Sequence, residues 1–439
     1  MIARMTWVIA QPQFTENRFK SQHGKDESMP KKKVMILGAG ECQIPIIKLA
    51  QRMGFQVIVV SVVGDYPGFS IADKAYQIDV RAKERILAVA RQEAISAILT
   101  DQTDLPVPTV AYVAEQLGLP GIGCECALRF TNKHEMRRYC KLIGVPIPSY
   151  YQASSWEEAK EKALLIGFPC IIKPVDNQGS RGVAKVNDTD DLKAKFRRAI
   201  QYSGCNSVII EEFFSGTEVV VQGFVSNYQP RNLLIGDRYY FDLPNLFIPK
   251  QTIFPSTLRP DLKQKVLDLN SLLIKSFAPK FGITHCEYLV NESSGEIRLV
   301  EAAIRGGGVF ISSDLVPLAC GVDVNEPLFR CALGENVSIE SQELKNGSSA
   351  YVCFCLPEGF VLNVQGLDKV VSLPGVHKAH CGYIKPGYRA NPIQDKTGRL
   401  GPILFSGKDR AECDERIEYV KQLLTIKVQT ATDVKGIIW

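Results

Sequence analysis

Two glutamates, Glu287 and Glu301, occupy the two arms of a β-hairpin that the sequence predicts at ITHCEYLV and EIRLVEAA. A turn centred near Ser294 pairs them, because both positions are equally distant from it along the chain. Directly opposed side chains share one face, with Cβ atoms ~4.5–5.5 Å apart, so two carboxylates there repel each other unless a cation lies between them. Mg²⁺ prefers oxygen ligands, substrate phosphates among them. The spacing therefore predicts a magnesium site, and the alternative is a surface hairpin with a chance pair of acids.

Features that suit phosphate binding precede the hairpin. Lys173 lies near the end of the apolar strand FPCIIKP, and Gly179-Ser180-Arg181-Gly182 follow it in a loop. Two glycines three residues apart let backbone amides approach a phosphate without a clash from Cβ atoms. The loop lacks the Gly-Lys-Ser/Thr sequence of a P-loop. Each feature alone also fits an exposed strand end or a flexible turn.

An acidic and aromatic run, Glu211-Glu212-Phe213-Phe214, ends the strand after that loop, and Glu218 begins the next strand. Backbone groups of this run can hydrogen-bond the edge of a purine, and the Glu218 carboxylate can accept hydrogen bonds from ribose hydroxyls. A solvated, charged bend is the alternative. Because all these features occur in one order and in strand–loop contexts, we expect them to form one nucleotide site.

An arginine and a glycine run follow the hairpin directly, as Arg305-Gly306-Gly307-Gly308. An arginine beside a metal site can hold a carboxylate through two hydrogen bonds or neutralise a phosphoryl group during its transfer. We therefore expect Arg305 to act in catalysis and these four residues together to contact the substrate.

In this order the motifs resemble those of the ATP-grasp superfamily of carboxylate–amine and carboxylate–thiol ligases, whose members include proteins similar to biotin carboxylase and to the carbamoyl-phosphate synthase large chain. The resemblance implies that Glu287 and Glu301 bind Mg²⁺ or Mn²⁺, and that Lys173 and Arg305 are catalytic. It also identifies Lys133, in Thr-Asn-Lys at a helix start, as a first phosphate-binding lysine. The implied ATP-binding residues are Lys133, Lys173, Gly179, Ser180, Arg181, Gly182, Glu211, Glu212, Phe213, Phe214 and Glu218.

The resemblance implies a reaction as well. ATP phosphorylates a substrate carboxylate to an acyl phosphate, an amine attacks it, and an amide, ADP and phosphate are released. The implied cofactors are ATP and Mg²⁺ (or Mn²⁺), and the implied partners are a small-molecule carboxylate and a small-molecule amine. One position departs from the family pattern: many members have asparagine two residues after the second glutamate, where this chain has Ala303.

Three other functions compete with this one. Bicarbonate activation, as in carboxylase-type members, uses the same ATP motifs. A catalytically silent ATP-binding protein fits the missing ligand at Ala303. The third alternative, a Rossmann-type oxidoreductase, is suggested by the sequence GAGECQ, with Asp65 as a ribose ligand. A dinucleotide fingerprint, however, requires glycine or alanine where this chain has Gln43.

The pattern of apolar residues predicts the scaffold for these motifs. Apolar strands alternate with amphipathic helices over residues 33–130, which indicates a doubly wound parallel sheet of the α/β class. A two-lobed ATP-grasp fold is expected over 131–345, with a mobile lid at about 145–210. An α+β C-terminal segment, 346–439, completes the ligase. Residues 1–32 are polar, basic and without periodicity, and a disordered tail is predicted there.

Composition and charge exclude several classes of protein. The 439 residues are 45% hydrophobic and 23% charged, an ordinary globular balance. Residues 1–33 carry +4 of the net +5, so the remainder is close to neutral and no nucleic-acid partner is expected. No run of 18 apolar residues occurs, so no membrane-spanning helix is expected. Residues 1–28 are either a native tail or a start-site artefact.

Thirteen cysteines without regular spacing favour a reducing, cytoplasmic location. The pairs Cys124/Cys126 and Cys353/Cys355 lack the usual zinc-site spacing and are expected to be core residues on strands. The segment 377–381 carries two histidines and a cysteine, and a surface loop is favoured there over a metal site. A homodimer is the default expectation for the oligomeric state.

Overall fold

The structure, a computed structural model, describes residues 31–439 with the exception of Gln178, Asn245 and Glu340. The predicted basic tail, residues 1–32, lies almost entirely outside the described residues. The described chain combines a parallel sheet with antiparallel sheets and helices, which confirms the predicted mixture of α/β and α+β architecture.

The first sheet is parallel, as the alternation of apolar strands and amphipathic helices predicts. Its strands are β1 (Lys33–Leu37), β2 (Gln56–Ser61), β3 (Lys74–Gln77) and β4 (Ala97–Leu99). The strands pair in the order β3-β2-β1-β4. The helices of this region are α1 (Ile44–Arg52), α2 (Pro67–Ile71), α3 (Lys83–Glu93), α4 (Val107–Leu117) and α5 (Cys124–Thr131). The sequence pattern does not predict β3, because its residues are mostly exposed and form no apolar run.

A second, antiparallel sheet forms most of the predicted lid and is called the lid sheet below. After α6 (Lys133–Ile143) the chain forms β5 (Tyr150–Ala153), α7 (Trp156–Ile166), β6 (Cys170–Pro174), β7 (Ala184–Val186), α8 (Thr189–Gln201) and β8 (Val208–Glu212). The strands pair in the order β5-β8-β6-β7. Both helices pack on this sheet and share a hydrophobic core with it.

A third sheet, called the large sheet below, begins with β9 (Thr217–Ser226), β10 (Gln229–Tyr240) and β11 (Pro249–Phe254). After α9 (Pro260–Phe277) it continues with the hairpin β12 (Phe281–Asn291) and β13 (Glu296–Ala303). A π-helical turn and the helices α10 (Val316–Cys320) and α11 (Asn325–Ala332) follow. The sequence pattern predicts β9 and the hairpin but not β10 or β11.

The C-terminal segment adds strands to the large sheet. Its elements are β14 (Ser348–Phe354), β15 (Gly359–Gln365), α12 (Leu367–Val371), β16 (Val376–Ala379), β17 (Arg389–Ala390), β18 (Leu400–Gly407), α13 (Arg410–Leu423), β19 (Thr425–Gln429) and β20 (Val434–Lys435). The large sheet has the order β13-β12-β9-β10-β11-β14-β18-β16, and a fourth sheet has the order β17-β15-β19-β20. The large sheet therefore crosses the proposed boundary between residues 345 and 346, and the domain limits stay a prediction. Two strands follow α13, whereas the sequence pattern predicts that the chain ends in that helix.

The structure corrects one placement of the cysteines. Cys124 and Cys126 lie on α5 rather than on a strand, and only Cys126 is buried. Cys353 lies on β14, and Cys355 makes an isolated bridge beyond it; both are buried, as predicted. All thirteen cysteines are unpaired. Among the helices of the described residues, none is long and apolar enough to span a membrane.

Glu93, at the end of α3, ties the edge of the parallel sheet to its centre. Its buried carboxylate accepts hydrogen bonds from Lys74 and Tyr76 on β3 and from Lys33 on β1. Hydrogen bonds from Lys74 and Tyr76 are the main reason that the pKa of Glu93 falls to about 2.

Glu93→Gln is expected to lower the melting temperature at neutral pH but not in acid. A carboxylate whose pKa is lowered by folding contributes stability above its unfolded pKa, about 4.3, and loses that contribution as the pH falls through its folded value. The two lysines are 34% and 46% exposed, and solvent screening limits the contribution to about 1 kcal/mol. Thermal melts from pH 7 to about pH 2 measure this: the difference in Tm should close in acid. A difference that is the same at every pH would contradict it.

Candidate active site

The predicted hairpin forms, with the two glutamates paired as expected but with a β-bulge that the sequence does not predict. From the turn to Tyr288 the strands pair one residue out of the predicted register, and the irregularity between Tyr288 and Glu287 shifts the pairing by that residue. Strands β12 and β13 are antiparallel, and Glu287 lies opposite Glu301. Asn291 helps to close the turn, because its side-chain oxygen accepts hydrogen bonds from the amides of the two serines that begin at position 293. Gly295 supplies the left-handed conformation that ends the turn, with φ of 71°. The turn and the β-bulge beside Glu287 together place the two carboxylates opposite each other on the hairpin.

Each of these carboxylates has its own cation. Lys133 Nζ lies 3.0 Å from Glu301 Oε1 and donates a hydrogen bond of 2.7 Å to the carbonyl oxygen of Asn177. Glu287 accepts a hydrogen bond from the guanidinium of Arg238, which lies on β10. Sequence reasoning misses Arg238, because β10 itself is not predicted. The sequence indicates such a residue only indirectly, because two carboxylates this close together require cations beside them.

Arg238 also joins Glu287 to its neighbours. Its Nη1 lies 3.1 Å from Glu218 Oε1 and its Nη2 lies 3.1 Å from His285 Nε2. The hydroxyl of Tyr240 donates to Glu218 at 2.6 Å. Burial and the charge of Glu287 raise the pKa of Glu218 to about 7. Burial acts on the pKa of Glu287 in the same direction, but Arg238 and His285 outweigh it and hold that pKa well below its usual range. The negative charge therefore concentrates on Glu287, as a metal ligand requires.

Lys173 and Glu211 form a second buried cluster with Arg137, which sequence reasoning also misses. Lys173 Nζ lies 2.6 Å from one oxygen of Glu211, and Arg137 Nε lies 2.8 Å from the other. Arg137 is fully buried and donates at 2.7 Å to the carbonyl oxygen of Val300. Burial alone raises the pKa of Glu211, but the two cations bring it down to about 2. Glu211 is therefore ionised throughout the neutral range and fixes both cations.

One cavity of about 670 Å³ brings most of the predicted residues together. Its walls come from β6 and β8 of the lid sheet and from β9, β10, β12 and β13 of the large sheet. The predicted residues on its wall are Lys133, Lys173, Gly179, Ser180, Arg181, Glu211, Glu212, Phe213, Phe214, Glu218, Glu287 and Glu301. Lining residues that were not predicted include Arg238, Tyr240, Phe241 and Lys396. This volume lies in the range of small-molecule binding sites.

Arg305 and the glycines that follow it do not line this cavity. Arg305 makes two hydrogen bonds, of 2.8 and 2.7 Å, to the carboxylate of Asp104, which precedes α4. The amide of Gly306 donates to Asp101 at 2.9 Å, and a Cβ at Gly306 would collide with Asp101 and Ser312. This segment therefore joins the hairpin to the parallel sheet. A catalytic role for Arg305 and substrate contacts for Gly306, Gly307 and Gly308 stay predictions.

Gly182, at the end of the predicted glycine loop, also lies off the cavity wall. A Cβ there would lie 3.0 Å from Pro174 and 3.1 Å from both Ala199 and Tyr202. The residue thus has a packing requirement of its own, in addition to its predicted role over the phosphates.

The side chain of Gln43 fills the glycine turn that follows β1 of the parallel sheet. Gln43 Oε1 accepts a hydrogen bond of 3.0 Å from the amide of Gly40, and Gln43 Nε2 donates at 2.7 Å to the carbonyl oxygen of Asp101. A pyrophosphate needs free amides and open space at this turn. The oxidoreductase alternative is therefore not favoured.

The donor set of the hairpin fits Mg²⁺. Glu287 and Glu301 supply oxygen ligands, while the alanine at position 303 supplies none. Within the described ranges no group of three or more His, Cys, Asp or Glu side chains is arranged to hold a metal. Mg²⁺ is commonly bound through one or two carboxylates, waters and substrate phosphates rather than by a complete protein cage. Two carboxylates on the wall of a cavity that can hold a small molecule are consistent with that mode.

Comparison with known proteins identifies the family. Residues 166–313 match the model of the ATP-grasp domain, and residues 353–429 match that of the L-amino acid ligase C-terminal domain 2. Residues 166–313 of this chain are an ATP-grasp domain. The predicted class of enzyme, an ATP-dependent ligase that joins a carboxylate to an amine, is confirmed with the family, and ATP and Mg²⁺ are the cofactors of that family. Its substrates are small molecules.

Two solved structures share the fold of this ATP-grasp protein over nearly its whole length. The L-amino acid ligase from Bacillus licheniformis has a TM-score of 0.78 at 19% identity and covers 92% of this chain and 100% of its own. Phosphoribosylglycinamide synthetase from Anaerococcus prevotii has a TM-score of 0.71 at 17% identity and covers 91% and 100%. A relative in sequence, the formate-dependent phosphoribosylglycinamide formyltransferase of Saccharolobus solfataricus, is 24% identical over 410 residues, which are 90% of this chain and 97% of that protein.

Glu211→Gln is expected to destabilise the ATP-grasp fold by about 3–5 kcal/mol, because it leaves Arg137 and Lys173 as buried cations without a counter-charge. Differential scanning calorimetry without nucleotide measures this as a lower Tm. The neighbouring Glu212→Gln is the matched control, since Glu212 is half-buried and its carboxylate accepts a hydrogen bond only from the Ser149 amide. The double variant Glu211→Gln/Lys173→Met should recover part of the loss. Equal stability of Glu211→Gln and the control would contradict the pairing.

Proposed function

We propose that this ATP-grasp ligase activates the carboxylate of an amino acid and joins it to an amine. The match of residues 353–429 to the L-amino acid ligase C-terminal domain 2 supports an amino-acid carboxylate. The similarity to the Bacillus licheniformis ligase supports it too. We propose the predicted site residues as the machinery of this reaction. A cytoplasmic location, with all thirteen cysteines unpaired, and a homodimer are parts of the proposal.

The single observation that carries the site assignment is the arrangement of charge in the cavity. Glu287 and Glu301 face each other on one hairpin, and Lys133 and Lys173 reach the same cavity from other elements. Each lysine is paired with a carboxylate. Cations placed in a largely buried cleft stabilise the negative charge that develops on a transferring phosphoryl group.

The reaction then proceeds in two steps. A carboxylate oxygen of the substrate attacks the γ-phosphorus of ATP in line, the bond to the bridging oxygen breaks, and ADP leaves. The amine attacks the carbonyl carbon of the acyl phosphate and loses a proton, and inorganic phosphate leaves as the amide forms. Mg²⁺ on Glu287 and Glu301 would neutralise phosphate charge in the first step. Closure of the lid sheet over the cavity would exclude water, which otherwise hydrolyses the acyl phosphate.

Two substitutions test the site assignment. Glu301→Gln and Lys173→Ala are each expected to lower kcat by about 10²-fold or more, because each removes a group that stabilises charge in transfer. ADP release measures the rate, and circular dichroism checks that the fold is retained. Glu296→Gln, at the exposed start of the same strand β13, is the matched control and should keep full activity. Full activity of both site variants would contradict the assignment.

A substrate screen tests the reaction itself. ADP release is expected to require both an amino acid and an amine, and mass spectrometry should find their amide. Release that instead requires bicarbonate would favour the carboxylase-type alternative, which shares the ATP motifs. Binding of Mg-ATP without ADP release for any acceptor would favour a catalytically silent ATP-binding protein.

A further inference from the structure

Lys396 is the one lining cation of the cavity that comes from the C-terminal segment. It lies in a short 3-10 turn, Lys396–Gly398, between β17 and β18, and the family motifs do not include it. Among the described residues its ammonium group has no hydrogen-bond or ion-pair partner within bonding distance. Lys396 is half-buried. A lysine ammonium is a strongly hydrated charge, and even partial burial without a partner is unfavourable. An unpaired ammonium on a cavity wall therefore indicates a binding site for an anionic ligand.

Three of the other four lining cations are already engaged, and the fourth, Arg181 of the glycine loop, has no ion pair among the described residues either. Lys133 pairs with Glu301, Lys173 with Glu211, and Arg238 with two acids at once. Lys396 lies close enough to Glu287 and Glu301 for their charges to raise its pKa, although burial dominates and lowers it overall. Its charge in turn lowers the pKa of Glu218, Glu287 and Glu301. The ammonium therefore lies within electrostatic range of the predicted metal ligands but forms an ion pair with none of them.

The backbone around Lys396 is fixed on both sides. Asp395 accepts hydrogen bonds from the amide and hydroxyl of Thr397, at 2.7 and 2.6 Å, which closes the turn. Arg399 donates at 2.9 Å to the carbonyl oxygen of Pro249 on β11. On the other side, Arg198 of α8 donates at 3.1 Å to the carbonyl oxygen of Gln394. The turn is therefore anchored to the large sheet and contacts α8 of the lid. These contacts fix the backbone that carries Lys396 on the cavity wall.

We propose that Lys396 is a further catalytic residue of this ligase, which binds the phosphoryl group of ATP while it passes to the substrate carboxylate. The proposal rests on the proposed function. The γ-phosphate is the anion that must lie beside the metal ligands Glu287 and Glu301, and Lys396 lines the same cavity as both without a partner among the described residues. Its contact is made with the group in transfer, so it contributes to the rate more than to the binding of ADP. The C-terminal segment therefore completes the chemical site, in addition to extending the sheet.

Binding experiments test this without turnover. In calorimetric titrations with Mg²⁺, Lys396→Met should bind a non-hydrolysable ATP analogue about ten-fold more weakly than the unmodified enzyme, because one charge-assisted hydrogen bond is lost. Binding of Mg-ADP, which lacks the γ-phosphate, should stay within about two-fold. Lys396→Arg should keep part of the preference for the triphosphate. Lys385→Met, an exposed lysine of the same segment, is the control.

Kinetics complete the test. Lys396→Met should lower kcat for ADP release by about 10²-fold. The inference is overturned if the variant keeps the triphosphate preference and the kcat of the unmodified enzyme, or if Mg-ADP binding falls as much as binding of the analogue. If the unmodified enzyme releases no ADP with any carboxylate, the proposed function fails, while the binding comparison still decides the role of Lys396.

Discussion

The structure depends on one electrostatic constraint: four carboxylates on the wall of one cavity are largely buried, and each must lie beside a cation. An isolated charge transferred from water to a protein interior costs several kcal/mol even after relaxation. The four acids are Glu211, Glu218, Glu287 and Glu301, while two more acids of the wall, Glu212 and Asp242, are not part of this charge cluster. Each of the four has a lysine or arginine within hydrogen-bond distance. The fold therefore places these lysines and arginines within hydrogen-bond distance of the four acids.

The cations come from separate parts of the chain. Lys133 starts α6, Lys173 lies on β6, Arg238 lies on β10 and Lys396 lies between β17 and β18. The lid sheet and the large sheet must pack with α6 before these acids have their cations, and the C-terminal segment must pack before Lys396 reaches the cavity. Assembly of the site and assembly of the fold are in this sense the same event. A polyanionic substrate can then enter, because the lysines can exchange a carboxylate partner for a phosphate without being left unpaired.

The sequence predicts those features of the site that depend on local interactions. A turn centred near Ser294 predicts the hairpin and the opposition of Glu287 and Glu301, but it does not predict the β-bulge through which this pairing is reached. The lysine, glycine and double-glutamate motifs are also local. Arg238 and Lys396 are not predictable in this way: one lies on a strand without a clear boundary signal, and the other lies in a polar segment that resembles any surface turn. Their importance comes from acids that are distant in the sequence.

Two further differences between the sequence prediction and the structure have the same origin. Arg305 is paired with Asp104, 201 residues away, and no local pattern indicates which acid an arginine will meet. Cys124 and Cys126 have a spacing that fits one face of a strand, yet the segment is a helix, because the buried set Cys126, Ala127 and Phe130 recurs at helical spacing. A short segment with few apolar residues satisfies both periodicities, and tertiary packing decides between them.

The role of the C-terminal segment follows from sheet topology as well as from charge. In the large sheet β11 pairs with β10 on one side and with β14 on the other, and β18 and β16 extend the sheet from there. Without the segment, β11 would become an edge strand with unpaired backbone groups along its length, a structure that proteins avoid or protect. The neighbour of β11 is β10, which carries Arg238. The segment that matches the L-amino acid ligase C-terminal domain 2 therefore supports the strand pair beside the acids as well as the turn that carries Lys396.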